Sequence, residues 1–388
     1  MSARKRVSTA VGLVLLGTMT AGCSQATSSE ECPPLALAFV GALSGPSTLN
    51  GEVKRDGAVL AVAEHNERED LCEVGLISFD SQGDPEQVTR MANQIIADPH
   101  ILGVVGPIFS GETREALPVF EDARLPIVSP SATNDQLSTQ GWTMFHRVIA
   151  SDALQSRAAS AWIAEEIKAK RIAVVGDLSL YGEGLADLVA EDLTERGLTV
   201  SVRASIDIEV QDYRQQVAQI KSANVDAIFY GGRGDAGTRL YRQIRDADVD
   251  AWFTGGDGLL LDVFERAATG DPAVAVTCPC VSRSRSDQLD AFANRYLEAF
   301  GLEATNYAAE GFDAAGILLE GINSGVRTRE QMTNWLKSAQ YDGITKTITF
   351  TDSGEIAGGL VYLFDVVTGQ FRPIAIYRDG AIELQDKD

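Results

Sequence analysis

Short apolar runs alternate with amphipathic stretches along most of the chain. From residue 35, "LALAFVGAL" is followed by "DGAVLAVAEHNERE", where Val59, Leu60 and Val62 or Ala63 share one helical face. "VGLISFD" then precedes "PEQVTRMANQIIADP", "ILGVVG" precedes "SGETREALPVFEDA", and "LPIVSP" closes the series. Continuous apolar strands between helices predict a parallel sheet covered on both faces. After "FHRVIASD" the alternation restarts with the helical stretch "ALQSRAASAWIAEEIK". Strands "RIAVVGD", "LTVSVRASI", "VDAIFYGG" and "AWFTGGD" follow, separated by helices "YGEGLADLVAEDLTER", "YRQQVAQIKSA" and "AGTRLYRQIRDA". The pattern therefore predicts an α/β protein of two doubly wound parallel-sheet units, with the switch near residue 152. Past "CPCVSRSRS" three helical stretches precede the strand-like runs "ITKTITF", "GGLVYLFDV" and "RPIAIYRDG". Those helices need a partner sheet. The simplest account returns the chain to the first unit and finishes it in the second.

The N-terminus changes the picture. Arg4, Lys5 and Arg6 precede the apolar stretch "VGLVLLGTM", which is too short for a stable membrane span. It ends in Thr20-Ala21-Gly22-Cys23, an arrangement that resembles a bacterial lipoprotein signal with Cys23 acylated as the mature N-terminus. "SQATSSE" reads as a polar tether. The formal charge is −22, and removal of residues 1–22 with their three basic residues makes it −25. The acidic residues are dispersed, a pattern of solubility, and a basic footprint for nucleic acid is absent.

An exported chain permits disulfides. Cys32 and Cys72 each sit just before a strand-like run, so parallel pairing of those strands would bring both sulfurs to one sheet edge. Cys278-Pro279-Cys280 could close a tight ring or remain two thiols. His65, His100 and His146 are scattered without ligand spacing to a cysteine, so no metal site is expected.

Taken in order, several motifs resemble the type I periplasmic binding proteins, the branched-chain amino-acid substrate-binding family of ABC importers. They are Leu43-Ser44-Gly45-Pro46, Asp80 with Asp84-Pro85, "VVGPIFSGETREA", "LPIVSPSATNDQL", "YGEGL", "FYGG", "FTGGDG", "EGFDAA" and "FTDSGE". The resemblance implies two lobes joined by three crossovers near Ser151–Asp152, Cys278–Cys280 and Glu355–Ala357, with ligand between them. The expected organisation is a signal peptide (1–22), a lipid-anchored tether (23–34), a first lobe (35–151 plus 281–355) and a second lobe (152–280 plus 356–388).

Ser110 opens a helix at the carboxyl end of a parallel strand, where open α/β sheets bind ligands. Its hydroxyl could simply cap the helix. Free amides and the positive dipole end there also suit a carboxylate. "SPSATNDQL" makes a second such junction with Ser131 and Thr133. In the family the matching positions hold the ligand's α-carboxylate and part of its ammonium group. Asp257, in "FTGGDG", matches the family's acidic partner of the ammonium, more often Glu. Arg233 and Asn50 replace residues that are usually aromatic, so the cleft is more polar than one built for leucine. Arg233 would pair with Asp257 or meet a second ligand carboxylate. Tyr181 and Tyr307 are expected as cleft aromatics.

Catalysis is disfavoured: the serines of "IFSGE" and "SLYGEGL" lack a G-x-S-x-G elbow or a histidine beside them, and His146 reads as a structural strand residue. No Gly-Lys phosphate cradle is present, and the "RGD" at 233–235 is a chance tripeptide. The expectation is a monomeric, cofactor-free lipoprotein on the extracytoplasmic face that delivers an amino acid or related zwitterion to an ABC permease. Two alternatives stay open: a sensor domain of the same fold, and a binder of an amide or carboxylate.

Overall fold

The computed structural model describes residues 32–281 and 286–385, so Cys23 and the signal segment lie outside the described residues. The first sheet contains β1 (Ala36–Gly41), β2 (Gly75–Asp80), β3 (Ile101–Val105), β4 (Ile127–Ser129) and β5 (Phe145–Arg147). All its pairings are parallel, in the order β2-β1-β3-β4-β5. The parallel core of the second sheet comprises β6 (Arg171–Gly176), β7 (Thr199–Ser205), β8 (Ala227–Tyr230), β9 (Trp252–Gly255) and β10 (Val274–Cys278). A short hairpin, β11 (Tyr341–Asp342) with β12 (Thr347–Ile348), stands apart.

The sequence pattern predicted two doubly wound parallel-sheet units and left the direction of the tail strands open; the second sheet is mixed. The tail adds β13 (Val361–Asp365), β14 (Arg372–Arg378) and β15 (Ala381–Leu384), all antiparallel, giving the order β15-β14-β13-β10-β9-β8-β6-β7. For the last pair the reason is local: Asp379 and Gly380 both take positive φ and join β14 to β15 by two residues, which leaves no room for a parallel crossover.

Helices α1 (Thr48–Asn66), α2 (Pro85–Ala97), α3 (Ser110–Asp122) and α4 (Gln136–Thr139) belong to the first half of the chain. They are followed by α5 (Asp152–Ala161), α6 (Leu180–Glu195), α7 (Arg214–Ala223), α8 (Gly234–Asp246) and α9 (Asp262–Ala268) around the second sheet. Then α10 (Asp287–Phe300), α11 (Ala308–Asn323) and α12 (Arg329–Leu336) return to the first. One face of the first sheet packs on α1, α10, α11 and α12 through Leu37, Phe39, Phe292 and Leu318; the other packs on α2 and α3 through Val88, Ala92 and Phe120.

The approach of α1 to α11 is unusually close. A Cβ on Gly57 would lie 2.0 Å from the Ala308 carbonyl, and one on Gly311 would lie 2.3 Å from the Lys54 carbonyl. Only glycine fits at both contacts. The close crossing holds the start of α1, with Asn50 and Lys54, against Tyr307 at the start of α11.

Candidate functional site: the gap between the two sheets

The strand ends that carry the predicted site residues face one gap. From the first sheet, β3 runs into α3 and β4 into the loop 130–134. From the second, β6 leads to α6, β8 to α8, and β9 to Asp257. Contacts span the gap: Asn134 Nδ2 donates to the Leu180 carbonyl at 2.9 Å, and the Arg233 guanidinium lies 4.9 Å from the Phe109 ring centre.

On the first-sheet side Ser110 is buried and begins α3, yet its side chain does not cap the helix. Its Oγ accepts the Asn134 amide at 3.2 Å, tying the two loops together. Ser131 Oγ donates to the Ile108 carbonyl at 2.8 Å. Thr133 is buried, and its carbonyl accepts the Asp152 amide at 2.9 Å. Arg147 supports this loop from below, donating Nη1 to the carbonyls of Ala132 at 3.1 Å and Asn134 at 3.0 Å, and binding Glu355 with the rest of its fork.

On the opposite side Asp257 gathers donors from three elements. Its Oδ1 accepts from Tyr181 Oη at 2.8 Å and Gln155 Nε2 at 3.0 Å, and its Oδ2 from Tyr307 Oη at 2.7 Å. Burial and the charge of Asp257 push both phenols well above their usual range, so they remain protonated donors. Two glycines permit this crowding: a Cβ on Gly256 would lie 2.6 Å from Tyr181 Oη, and one on Gly258 would lie 2.2 Å from the Gly232 carbonyl. Arg233 makes no ion pair with Asp257 among the described residues; its backbone amide donates to Asp177 Oδ2 at 2.8 Å.

Asn50 faces α11, with Oδ1 accepting from Lys54 Nζ at 2.7 Å and its carbonyl accepting at 3.1 Å. Lys54 is a residue that sequence reasoning missed. It is buried, with its Nζ 4.9 Å from the centre of the Tyr307 ring. Burial lowers its pKa to about 7, against the opposing pull of Asp257 and Glu310. Two more were missed on α5: Gln155, already placed, and Asp152, whose carboxyl oxygens are buried without a hydrogen-bond partner. Burial, then the charge of Asp257, drives the Asp152 carboxyl well above its usual range. Glu112 on α3 is similarly buried, and burial pushes it up to about 7 against the opposing effect of Ser81, the Arg233 charge and the Phe109 backbone. The available signal was spacing: Asn50 and Lys54, like Asp152 and Gln155, share a helix face.

Cys278 and Cys280 are disulfide-bonded where β10 ends, and the Tyr307 hydroxyl lies 3.6 Å from Cys278 Sγ. His146 is buried and edge-on to Phe350 at 4.8 Å; burial pulls its pKa down to about 4, so it is neutral. It stays clear of the gap. Among the described residues no helix is long and apolar enough to cross a membrane.

Two doubly wound halves whose strand ends face one gap give the arrangement in which open α/β sheets bind ligands. The profile described as "Periplasmic binding protein" matches residues 34–370, and the chain belongs to that family. It is 28% identical over 364 residues to a Leu/Ile/Val/Thr-binding protein of Salmonella typhimurium, spanning 90% of this chain and 96% of that one. A leucine-binding protein from Thermotoga maritima has a similar structure, with TM-score 0.80, 23% identity and coverage of 89% and 99%. A branched-chain amino-acid transporter substrate-binding protein from Streptococcus pneumoniae, solved with isoleucine, gives TM-score 0.79, 21% identity and coverage of 91% and 99%.

Proposed function

We propose that this protein is the substrate-binding component of an ABC importer, capturing an amino acid in the gap and delivering it to a membrane permease. The observation that carries the reading is Asp257, a carboxylate ringed by Tyr181, Tyr307 and Gln155 and set across the gap from the Ser110 and Ser131–Thr133 loops.

The ligand's ammonium takes the place of a further donor to Asp257. Its carboxylate takes the free first-turn amides of α3 and the hydroxyls of Ser110, Ser131 and Thr133. Tyr181, Tyr307, Asn50 and Arg233 surround the remainder of the ligand. Because the two ends of the zwitterion belong to different lobes, ligand favours the closed arrangement over the open one. The lobes are 35–151 plus 281–355 and 152–280 plus 356–388, hinged at the three crossovers. The mature chain works as a monomer, joined by Cys32–Cys72 and held on the extracytoplasmic face of the membrane through acylated Cys23.

Titration calorimetry with the proteinogenic amino acids tests this. Asp257→Ala is expected to weaken the best ligand at least tenfold, in line with loss of a charged hydrogen bond. Unchanged affinity would refute the ammonium assignment. Cys23→Ser is expected to move the protein from the membrane to the soluble fraction of its host.

A further inference from the structure

Acidic groups stand close to Asp257, Asp152 among them, and beside them three donors keep bonding capacity. Lys54 Nζ uses two of its protons on Asn50 and has one left. Asn50 spends its side-chain oxygen on Lys54, which leaves its NH2 as the group with bonding capacity. Arg233 has five guanidinium protons, and none is hydrogen-bonded among the described residues; its ring contact is Phe109, the residue before Ser110. The nearby acids do not fill this need. Asp257 is taken by Tyr181, Tyr307 and Gln155. Glu310 gives one oxygen to the Val281 amide at 2.7 Å and acts on Lys54 through charge, and Glu112, which feels the charge of Arg233, makes no ion pair with it within contact distance among the described residues. Asp177 accepts the Arg233 backbone, not its fork.

Arg233 and Lys54 come from opposite lobes, and a neighbouring carboxylate would favour the charged form of Lys54, which burial opposes. An aliphatic side chain would leave their protons dry and unpaired when the lobes close, the costly half of the hydrogen-bond ledger. A carboxylate would satisfy both, and a guanidinium fork suits it geometrically.

We propose that the cleft selects an amino acid with an anionic side chain, of the aspartate or glutamate class. Arg233 and Lys54, with the Asn50 amide, hold its second carboxylate. This rests on the amino-acid-binding reading above and adds the side-chain class to it.

The test is calorimetry on the wild-type chain with L-glutamate, L-aspartate, L-glutamine and L-leucine. Glutamine matters most because it keeps the size of glutamate and removes only the charge. An acidic amino acid is expected to bind at least tenfold tighter than glutamine and leucine. Arg233→Gln is expected to erase that preference, bringing glutamate and glutamine within threefold of each other. Lys54→Met should act in the same direction, and if it fails to fold, Arg233→Gln carries the test alone. Tighter binding of leucine or glutamine would overturn this inference while leaving amino-acid capture intact. Binding of no amino acid would overturn both.

Discussion

At the end of β5 Arg147 gives its guanidinium to Glu355 and to the carbonyls of Ala132 and Asn134, whereas at the starts of α5 and α3 Asp152 and Glu112 bury carboxyls whose charged form burial opposes. Lys346 and Asp313 belong with the first set: Lys346 Nζ donates to the Val148 carbonyl at 2.9 Å, and Asp313 accepts the amides of Ile344 at 2.8 Å and Thr345 at 2.9 Å. Glu310 stands between the two sets, with one oxygen bonded and the other not. Arg147, Asp313, Asp152, Glu112 and Glu310 are buried, so desolvation presses on each of them. What differs is completion. Arg147, Lys346 and Asp313 are satisfied within the chain, while burial opposes the charged forms of Asp152 and Glu112.

Substitution should separate the sets by sign. The largest effect is expected from Arg147→Met, which leaves Glu355 without its partner and the 130–134 loop without its support. Loss of one member of a buried pair removes about 3 kcal/mol or more of stability, measurable by urea unfolding. A loss near zero would mean that the fork is not holding the crossovers. Glu112→Gln comes next, and its effect depends on pH. Burial raises the folded pKa of Glu112 from 4.5 to about 7. The folded state therefore holds a proton that the unfolded state has released, so stability is full below pH 4.5 and is lost as pH rises through 7. The glutamine variant lacks this loss and should gain on the parent by up to about 3 kcal/mol between pH 4.5 and 8. Parallel curves would contradict the assignment. The smallest effect is expected from Asp152→Asn. Replacing an orphaned carboxyl should stabilise by roughly 1 kcal/mol while weakening amino-acid binding, a trade expected of a functional group and not of a structural one.

Much of this was legible before any coordinates. The strand–helix alternation reports burial directly, because a strand covered on both faces must be apolar throughout, as β1, β3 and β8 are. Ser110, Thr133 and Asp257 were singled out chiefly by the resemblance to the family, at loops where open α/β sheets bind ligands. Lys54 did not stand out, since a lysine at one position of a helix normally faces water. Its burial follows from the glycine-mediated approach of α11 more than 250 residues later, which no local pattern encodes. The mixed character of the second sheet was hidden for a related reason. Runs such as "GGLVYLFDV" give a strand's existence but not its direction, and the two-residue Asp379-Gly380 turn decides direction only for β15 against β14.

The most direct test is a crystal structure of the protein grown with its tightest-binding amino acid. The account predicts the α-carboxylate on the first-turn amides of α3 beside Ser110 and the α-ammonium within hydrogen-bonding distance of Asp257. A ligand lying outside the gap, or inside it with its ammonium directed away from Asp257, would contradict it.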